Sequence, residues 1–153
     1  MQSNQVLITQ AGLDHLKAEL TDLQNVKRPV LVERLSVARS MGDLAENSDY
    51  QSAKEELAFM DSRIDELDEL IKNAKVAIPT SSTSVNFGHT VTVKVNSSQT
   101  AFQIVGEPEA DPSKRKISHS SPLGLALMGK KVGDQIEVDA PVGKISYTII
   151  SIS

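Results

Sequence analysis

The stretch YQSAKEELAFMDSRIDELDELIKNA, from Tyr50 to Ala74, decides the fold. Apolar side chains stand at Tyr50, Ala53, Leu57, Met60, Ile64, Leu67, Ile71 and Ala74, with gaps alternating between three and four. That spacing keeps every one of them on a single helical stripe and is the heptad seam of a coiled coil. Glu55, Glu56, Asp61, Arg63, Asp65, Glu66, Asp68 and Glu69 lie between them and give a charged outer face. From Asp49 to Ala74 such a helix would run roughly 40 Å at 1.5 Å per residue. A helix with one apolar stripe needs a second surface to cover it.

The preceding segment supplies that surface. Leu13, Leu16, Leu20 and Leu23 begin the same pattern, with Thr9 placed as a cap before them. The seam blurs at NVKRPVLVERL, where Pro29 removes a ladder hydrogen bond and predicts a kink or break. Apolar residues resume at Val30, Leu31, Leu35 and Ala38. Two helices of similar length joined by a short polar turn fold back antiparallel. The turn, GDLAENSD (Gly42–Asp49), then sits at the end of a helical hairpin and carries Asp43, Glu46 and Asp49. Gly42 can close the first helix in a left-handed conformation. Ser48 with Gln51 matches a capping box for the second. Capping and solubility account for such carboxylates in an arbitrary sequence. Two sets of caps are more than one turn needs.

Beyond the hairpin the pattern changes. IPTSSTSVNFG (Ile78–Gly88) has the composition of a linker. Val91, Val93 and Val95 then alternate with polar residues, and Phe102 and Ile104 follow a polar NSSQ turn, which predicts a β-hairpin. GEPEADPSKRK reads as a long polar loop. SPLGLALMG predicts a short helix with Ser121 as cap and Pro122 at its first position. DQIEVDAPVGKISYTIISIS gives two more strands about a Pro-Gly turn. The expected class is therefore α+β in two domains: residues 1–78 an antiparallel coiled coil with its acidic tip at 42–50, and residues 79–153 a small globular domain.

Composition narrows the function. The chain of 153 residues has 16 basic and 20 acidic side chains, which argues against general nucleic-acid binding through phosphate neutralisation. The charge is divided: residues 1–78 hold 9 basic and 14 acidic groups, net −5, and residues 79–153 hold 7 and 6, net +1. With no cysteine, disulfides and thiolate metal sites are excluded. His15, His89 and His119 fall in three separate elements, which disfavours a histidine metal site or triad. No signal-peptide pattern and no apolar run of membrane-spanning length occurs, so the expectation is a soluble cytoplasmic protein with no membrane partner.

GDLAENSDY at the tip and SPLGLALMGKKVGD (Ser121–Asp134) in the second half together resemble the two hallmark motifs of the bacterial Gre transcript-cleavage factors, most closely the GreA branch. The resemblance extends in order, spacing and architecture over essentially the whole chain. It implies that the globular domain is FKBP-like and docks on bacterial RNA polymerase at the mouth of the secondary channel. The coiled coil would then reach down the channel and stimulate the polymerase's own hydrolysis of the 3′ end of backtracked nascent RNA. The chain would not be an enzyme itself and would take no free small-molecule substrate. By the same resemblance Asp43 and Glu46 are the essential acidic pair, completing a Mg²⁺ site shared with the polymerase; the protein has no cofactor of its own. Mg²⁺ prefers oxygen ligands and is commonly held by one or two carboxylates plus phosphates, so two tip acids suffice for a share. If the tip is helical there, their i, i+3 spacing places both on one face. Arg39, Asn47 and Lys54 correspond to positions that meet the RNA or channel wall, and Ser121 and Pro122 to the polymerase-docking hallmark. Asn47 and Tyr50 also match tip residues whose implied role is positioning; packing in the seam is the stronger account of Tyr50, and surface charge is an equal account of Arg39 and Lys54. Lys27 and Arg28 are weaker basic candidates.

Three other functions remain to be weighed. A channel-binding relative that inhibits polymerase without cleavage would carry a more crowded acidic tip. A prolyl isomerase needs an aromatic-lined pocket, and the second half offers only Phe87, Phe102 and Tyr147. A non-catalytic coiled-coil adaptor leaves the tip acids unexplained. The GreB branch usually carries more positive charge along the rod than the net −5 here.

Overall fold

A computed structural model describes residues 5–42, 46–78 and 83–153. The chain forms two compact units: Leu13–Asn73, and the segment before Leu13 together with Ala74–Ser153. The sequence-based boundary at 78/79 thus lies a few residues beyond the point where the chain leaves the helical unit. No helix among the described residues is long and apolar enough to cross a membrane.

The helical unit contains most of α1 (Gln10–Asp22), a π-helical turn at Leu23–Lys27, α2 (Arg28–Ser40) and α3 (Ser48–Lys72). Helix α3 returns antiparallel to the other two. Leu16, Leu23, Leu31 and Ala38 are buried on the outgoing strand of the hairpin, and Ala53, Ile64 and Leu67 on the returning one. Each fully buried Leu or Ile contributes about 1.5–3 kcal/mol through loss of apolar surface to water. The outgoing spacings are seven, eight and seven residues. The π turn absorbs the extra residue: the Arg28 N–H donates to the Leu23 carbonyl, five residues back. Pro29 therefore neither breaks the helix nor ends it. The irregularity falls in the turn just before it, where the proline ring would crowd the carbonyl four residues earlier.

Three arginines cross between the helices. Arg63 grips Glu19 with Nε and Nη2 at 2.8 and 3.0 Å, Arg28 Nε reaches Asp61 at 2.8 Å, and Arg34 bridges Asp49 and Glu56. Asp61 and Arg63 therefore flank the seam; they do not belong to a purely solvated outer face.

The other unit is built on a five-stranded sheet of order β5-β4-β3-β7-β6, from β3 (Thr90–Val95), β4 (Ser98–Val105), β5 (Lys116–Ser118), β6 (Gln135–Ala140) and β7 (Gly143–Ile152). Only β4 and β5 run parallel. The β3–β4 hairpin turns on Asn96 and Ser97, with φ of 47° and 69°, the two positive values a type I′ turn needs to match strand twist. Val85, Phe87, Val91, Val93, Ile104, Leu127, Ile136 and Ile149 form the core. The short helix α4 (Pro122–Leu127) delivers Leu127 to it. A Cβ on Gly124 would meet the Ser118 carbonyl oxygen at 2.0 Å, so only glycine lets α4 pack this close to the end of β5.

Two sequence expectations change here. Val85 and Phe87, within the stretch of linker composition, are core residues. The long polar loop contains two 3₁₀ turns, Glu107–Glu109 and Pro112–Lys114, and ends in β5. A two-stranded parallel sheet pairs β1 (Val6–Ile8) with β2 (Ala74–Val76) in the same unit. Leu7 and Ala77 pack against the core, and Ile8 is fully buried. Thr9 Oγ1 accepts the Gly12 N–H at 3.0 Å. The Glu109 carboxylate accepts the Thr9 N–H at 2.9 Å, the Gly106 N–H at 3.1 Å and the Thr9 hydroxyl.

Candidate functional site at the hairpin tip

Helix α2 ends at Ser40, and the Met41 N–H donates to the Ala38 carbonyl at 3.2 Å. Gly42 follows at φ 129°. This positive value agrees with the sequence reading of a glycine-terminated helix. Asp43, Leu44 and Ala45 lie outside the described residues, so the expected place of Asp43 on a helical face beside Glu46 does too. Glu46 is exposed and takes part in no ion pair among the described residues.

Asn47, not Ser48, caps α3. With φ −84° and ψ 98° its Oδ1 accepts the Tyr50 N–H at 3.0 Å. Its Nδ2 donates to the Ala38 carbonyl at 2.7 Å. One amide thus satisfies an orphan donor of α3 and gives the Ala38 carbonyl of α2, which already holds the Met41 N–H, a second donor. Two further links tie the same ends. The Arg39 guanidinium lies 5.9 Å from the centre of the Tyr50 ring, within cation–π range. Arg34 Nε and Nη2 donate to Asp49 Oδ1 at 3.1 and 2.9 Å, and Nη1 donates to Glu56 at 3.1 Å. Those two carboxylates, Asp49 first, hold the Arg34 guanidinium above its ordinary value.

The two described tip acids therefore have different environments. Asp49 is committed to Arg34, while Glu46 faces solvent without a cation among the described residues. Arg34 was not singled out from the sequence. Its signal is the hairpin register: once Ala38 meets Asn47, residue 34 falls within reach of the first turns of α3. Lys54 is exposed, one helical turn beyond Tyr50. Among the described residues no three His, Cys, Asp or Glu gather to form a metal centre. Glu46 offers one oxygen donor group of the hard type Mg²⁺ takes, a fraction of an octahedral shell.

Ser121 and Pro122 lie elsewhere, at the start of α4. Ser121 Oγ accepts the Gly124 N–H at 3.1 Å and donates to the Ser118 carbonyl at 2.6 Å. Its hydroxyl is thus occupied locally, whereas Pro122 is exposed and Leu125 is 64% exposed. Phe87 meets His119 edge-on at 5.5 Å, and Phe102 meets Tyr147 at 6.5 Å. All three aromatics weighed for an isomerase pocket have packing partners.

Residues 6–76 match the family described as transcription elongation factor, N-terminal, and residues 80–153 match transcription elongation factor, GreA/GreB, C-term. Among curated relatives, transcription elongation factor GreA of Bacillus anthracis (strain CDC 684 / NRRL 3495) is 44% identical over 149 residues, covering 95% of this chain and 94% of that one. The GreA of Lactococcus lactis subsp. cremoris (strain MG1363) is 45% identical over 153 residues, covering 95% and 96%. Among solved structures, GreA factor homolog 1 (Gfh1) of Thermus thermophilus aligns over 98% of this chain and 99% of that one, at 27% identity and a TM-score of 0.47. With both halves matched and GreA relatives at this identity over nearly the full length, the chain belongs to the GreA/GreB family of transcription elongation factors.

Proposed function

We propose that this protein acts on bacterial RNA polymerase as a transcription elongation factor that stimulates the polymerase's own cleavage of the 3′ end of backtracked nascent RNA. The carrying observation is the separation of the two described tip acids: Arg34 neutralises Asp49 and leaves Glu46 exposed and, among the described residues, unpaired at the closed end of the hairpin. A carboxylate meant only to cap α3 would not stand one residue before a cap that is already filled by Asn47. Membership of the GreA/GreB family supports the polymerase as partner, reached through the secondary channel.

In this reading Glu46, with Asp43, lends oxygen ligands to a Mg²⁺ shared with the polymerase active site. The metal, when bound, activates water and stabilises charge in an in-line displacement. The protein contributes the placement of the acids: the paired helices hold them at one end, and the Asn47 and Arg34 links hold that end closed. Arg39 and Lys54 lie near enough to the tip to face RNA phosphates or the channel wall. Arg39 does so while stacked on Tyr50. The globular unit carries the docking surface, with Pro122 on its exposed side.

Asp43→Asn and Glu46→Gln test this. Asparagine caps as well as aspartate, and loss of charge at an exposed helix end costs below about 1 kcal/mol, so capping alone predicts little change. Loss of a ligand where transition-state charge develops predicts a fall in stimulated cleavage on the order of 10²-fold or more, with melting temperature and polymerase binding nearly unchanged. The measurement is single-turnover cleavage in one stalled, backtracked complex. Near-normal cleavage by the double variant would return both acids to a capping role and favour an inhibitor or adaptor.

A further inference from the structure

We propose that Asn47 is the positioning residue of the tip: its bridge between Tyr50 N–H and the Ala38 carbonyl sets where the Glu46 carboxylate is presented. The proposal rests on the cleavage-factor reading and assigns Asn47 a role other than contact with RNA.

The chain enters and leaves the tip under different constraints. It enters through Gly42, at φ 129°, where the missing Cβ leaves the backbone permissive. It leaves through Asn47, whose side chain is bonded at both ends, to α3 and to α2. The peptide plane joining Glu46 to Asn47 is rigid. Fixing Asn47 against both helices therefore fixes the C-terminal side of Glu46 and leaves only the local torsions of Glu46 free. The amide orientation is determined as well. A flip would set nitrogen against the Tyr50 N–H and oxygen against the Ala38 carbonyl, losing both bonds. With its acceptor and one donor hydrogen used inside the hairpin, the amide is committed to structure. Arg34 and the Arg39–Tyr50 pair support the same closure but bond to α3 beyond Asn47, so neither fixes the peptide next to Glu46.

The two bonds can be separated by substitution. Asn47→Asp keeps the acceptor and is an equally good N-cap. It cannot donate to Ala38 and sets a carboxylate against that carbonyl. Asn47→Ser keeps a cap without charge and lacks the reach to Ala38. Both full-length variants should retain helix content and cooperative melting. At saturating factor on a backtracked polymerase complex, stimulated cleavage should fall roughly tenfold or more, because misplacement of a reacting group by an ångström carries such penalties. The Mg²⁺ concentration for half-maximal stimulation should rise in both, which a cap or packing role would not produce. Wild-type rates and Mg²⁺ midpoints in both variants would overturn the proposal. So would a loss that disappears at saturating factor, since that identifies Asn47 as an RNA or channel contact. Glu46→Gln, run in parallel, separates the two levels. Normal cleavage by Glu46→Gln defeats the tip-acid reading itself, whereas loss there with normal Asn47 variants defeats only the positioning role.

Discussion

Glu19 and Arg63 form the shorter of two bidentate pairs among the described residues of the hairpin, and its hydrogen bond holds the Glu19 carboxyl below its ordinary value, partly offset by burial. A carboxylate whose folded pKa is depressed stabilises the fold above its unfolded pKa and loses that contribution as pH falls through the folded value. Glu19→Gln should therefore melt about 1–3 °C below the wild type at pH 7, a small effect because both side chains remain partly exposed. That gap should close between about pH 5 and pH 3, as the wild-type carboxylate protonates. Parallel thermal melts across that range check it; a gap that persists at low pH would mean packing, not charge, carries the pair. At this scale the sequence was readable where a side chain acts on its own neighbours. Thr9, Ser121 and Gly42 all do what their local patterns predict. It misled at Ser48, because S-x-x-Q and N-x-x-Y are both acceptable starts for α3. The choice of Asn47 depends on the Ala38 carbonyl across the hairpin, which no local pattern contains. The long-range bonds from Thr9 and Gly106 to Glu109 were invisible for the same reason.

Seam spacing explains both the success and the blur in reading the hairpin. Helix α3 keeps strict three-four gaps and was legible from Tyr50 to Ile71, but Ala74, the last position of the expected seam, lies in β2 of the other unit. The outgoing helices place Leu16, Leu23, Leu31 and Ala38 at seven, eight and seven, so a fixed period loses phase after Leu23. The π turn restores the phase at the cost of one extra residue. This makes a deletion testable. Removing the exposed Asn25 together with Pro29→Ala, which takes away the ring that a regular turn would crowd, should turn eight into seven and convert the turn to regular α-helix, with melting temperature equal to or above that of the wild type. Removing the exposed Ser62 from α3, where no extra residue exists, should rotate the following seam by about 100° and displace Ile64 and Leu67, with a loss on the order of several kcal/mol. Comparable losses from the two deletions would contradict this account of the π turn. In the globular unit the alternating strands were legible, whereas β5 was not. Three residues on a parallel edge, preceded by Pro and charged residues, carry too little periodicity. Val85 and Phe87 were hidden by the serines before them.

Chain connectivity gives the last test. Strands β1 and β2 are parallel, so the chain cannot join them by a tight turn and needs a crossover. The whole helical hairpin is that crossover, inserted between two strands of the other unit. The globular unit is thus assembled from both sides of the hairpin. It uses Leu7 and Ala77 against its core, and the Leu7 carbonyl lies where a Cβ on Gly106 would be, at 1.9 Å. A fragment of residues 79–153 loses β1, β2 and the buried Ile8, and should melt well below the parent domain or fail to fold cooperatively. A chain with residues 13–73 replaced by a short Gly/Ser crossover keeps every one of those contacts and should fold cooperatively. If docking resides in this unit, as proposed, that minimal chain should compete with the full-length protein for polymerase and stimulate no cleavage, because it lacks the tip. Competition binding and the backtracked-complex cleavage assay decide this together. Cooperative folding without competition would move the docking energy to the hairpin. Equal stability of the 79–153 fragment would show that β1 and β2 are dispensable to the core they pack against.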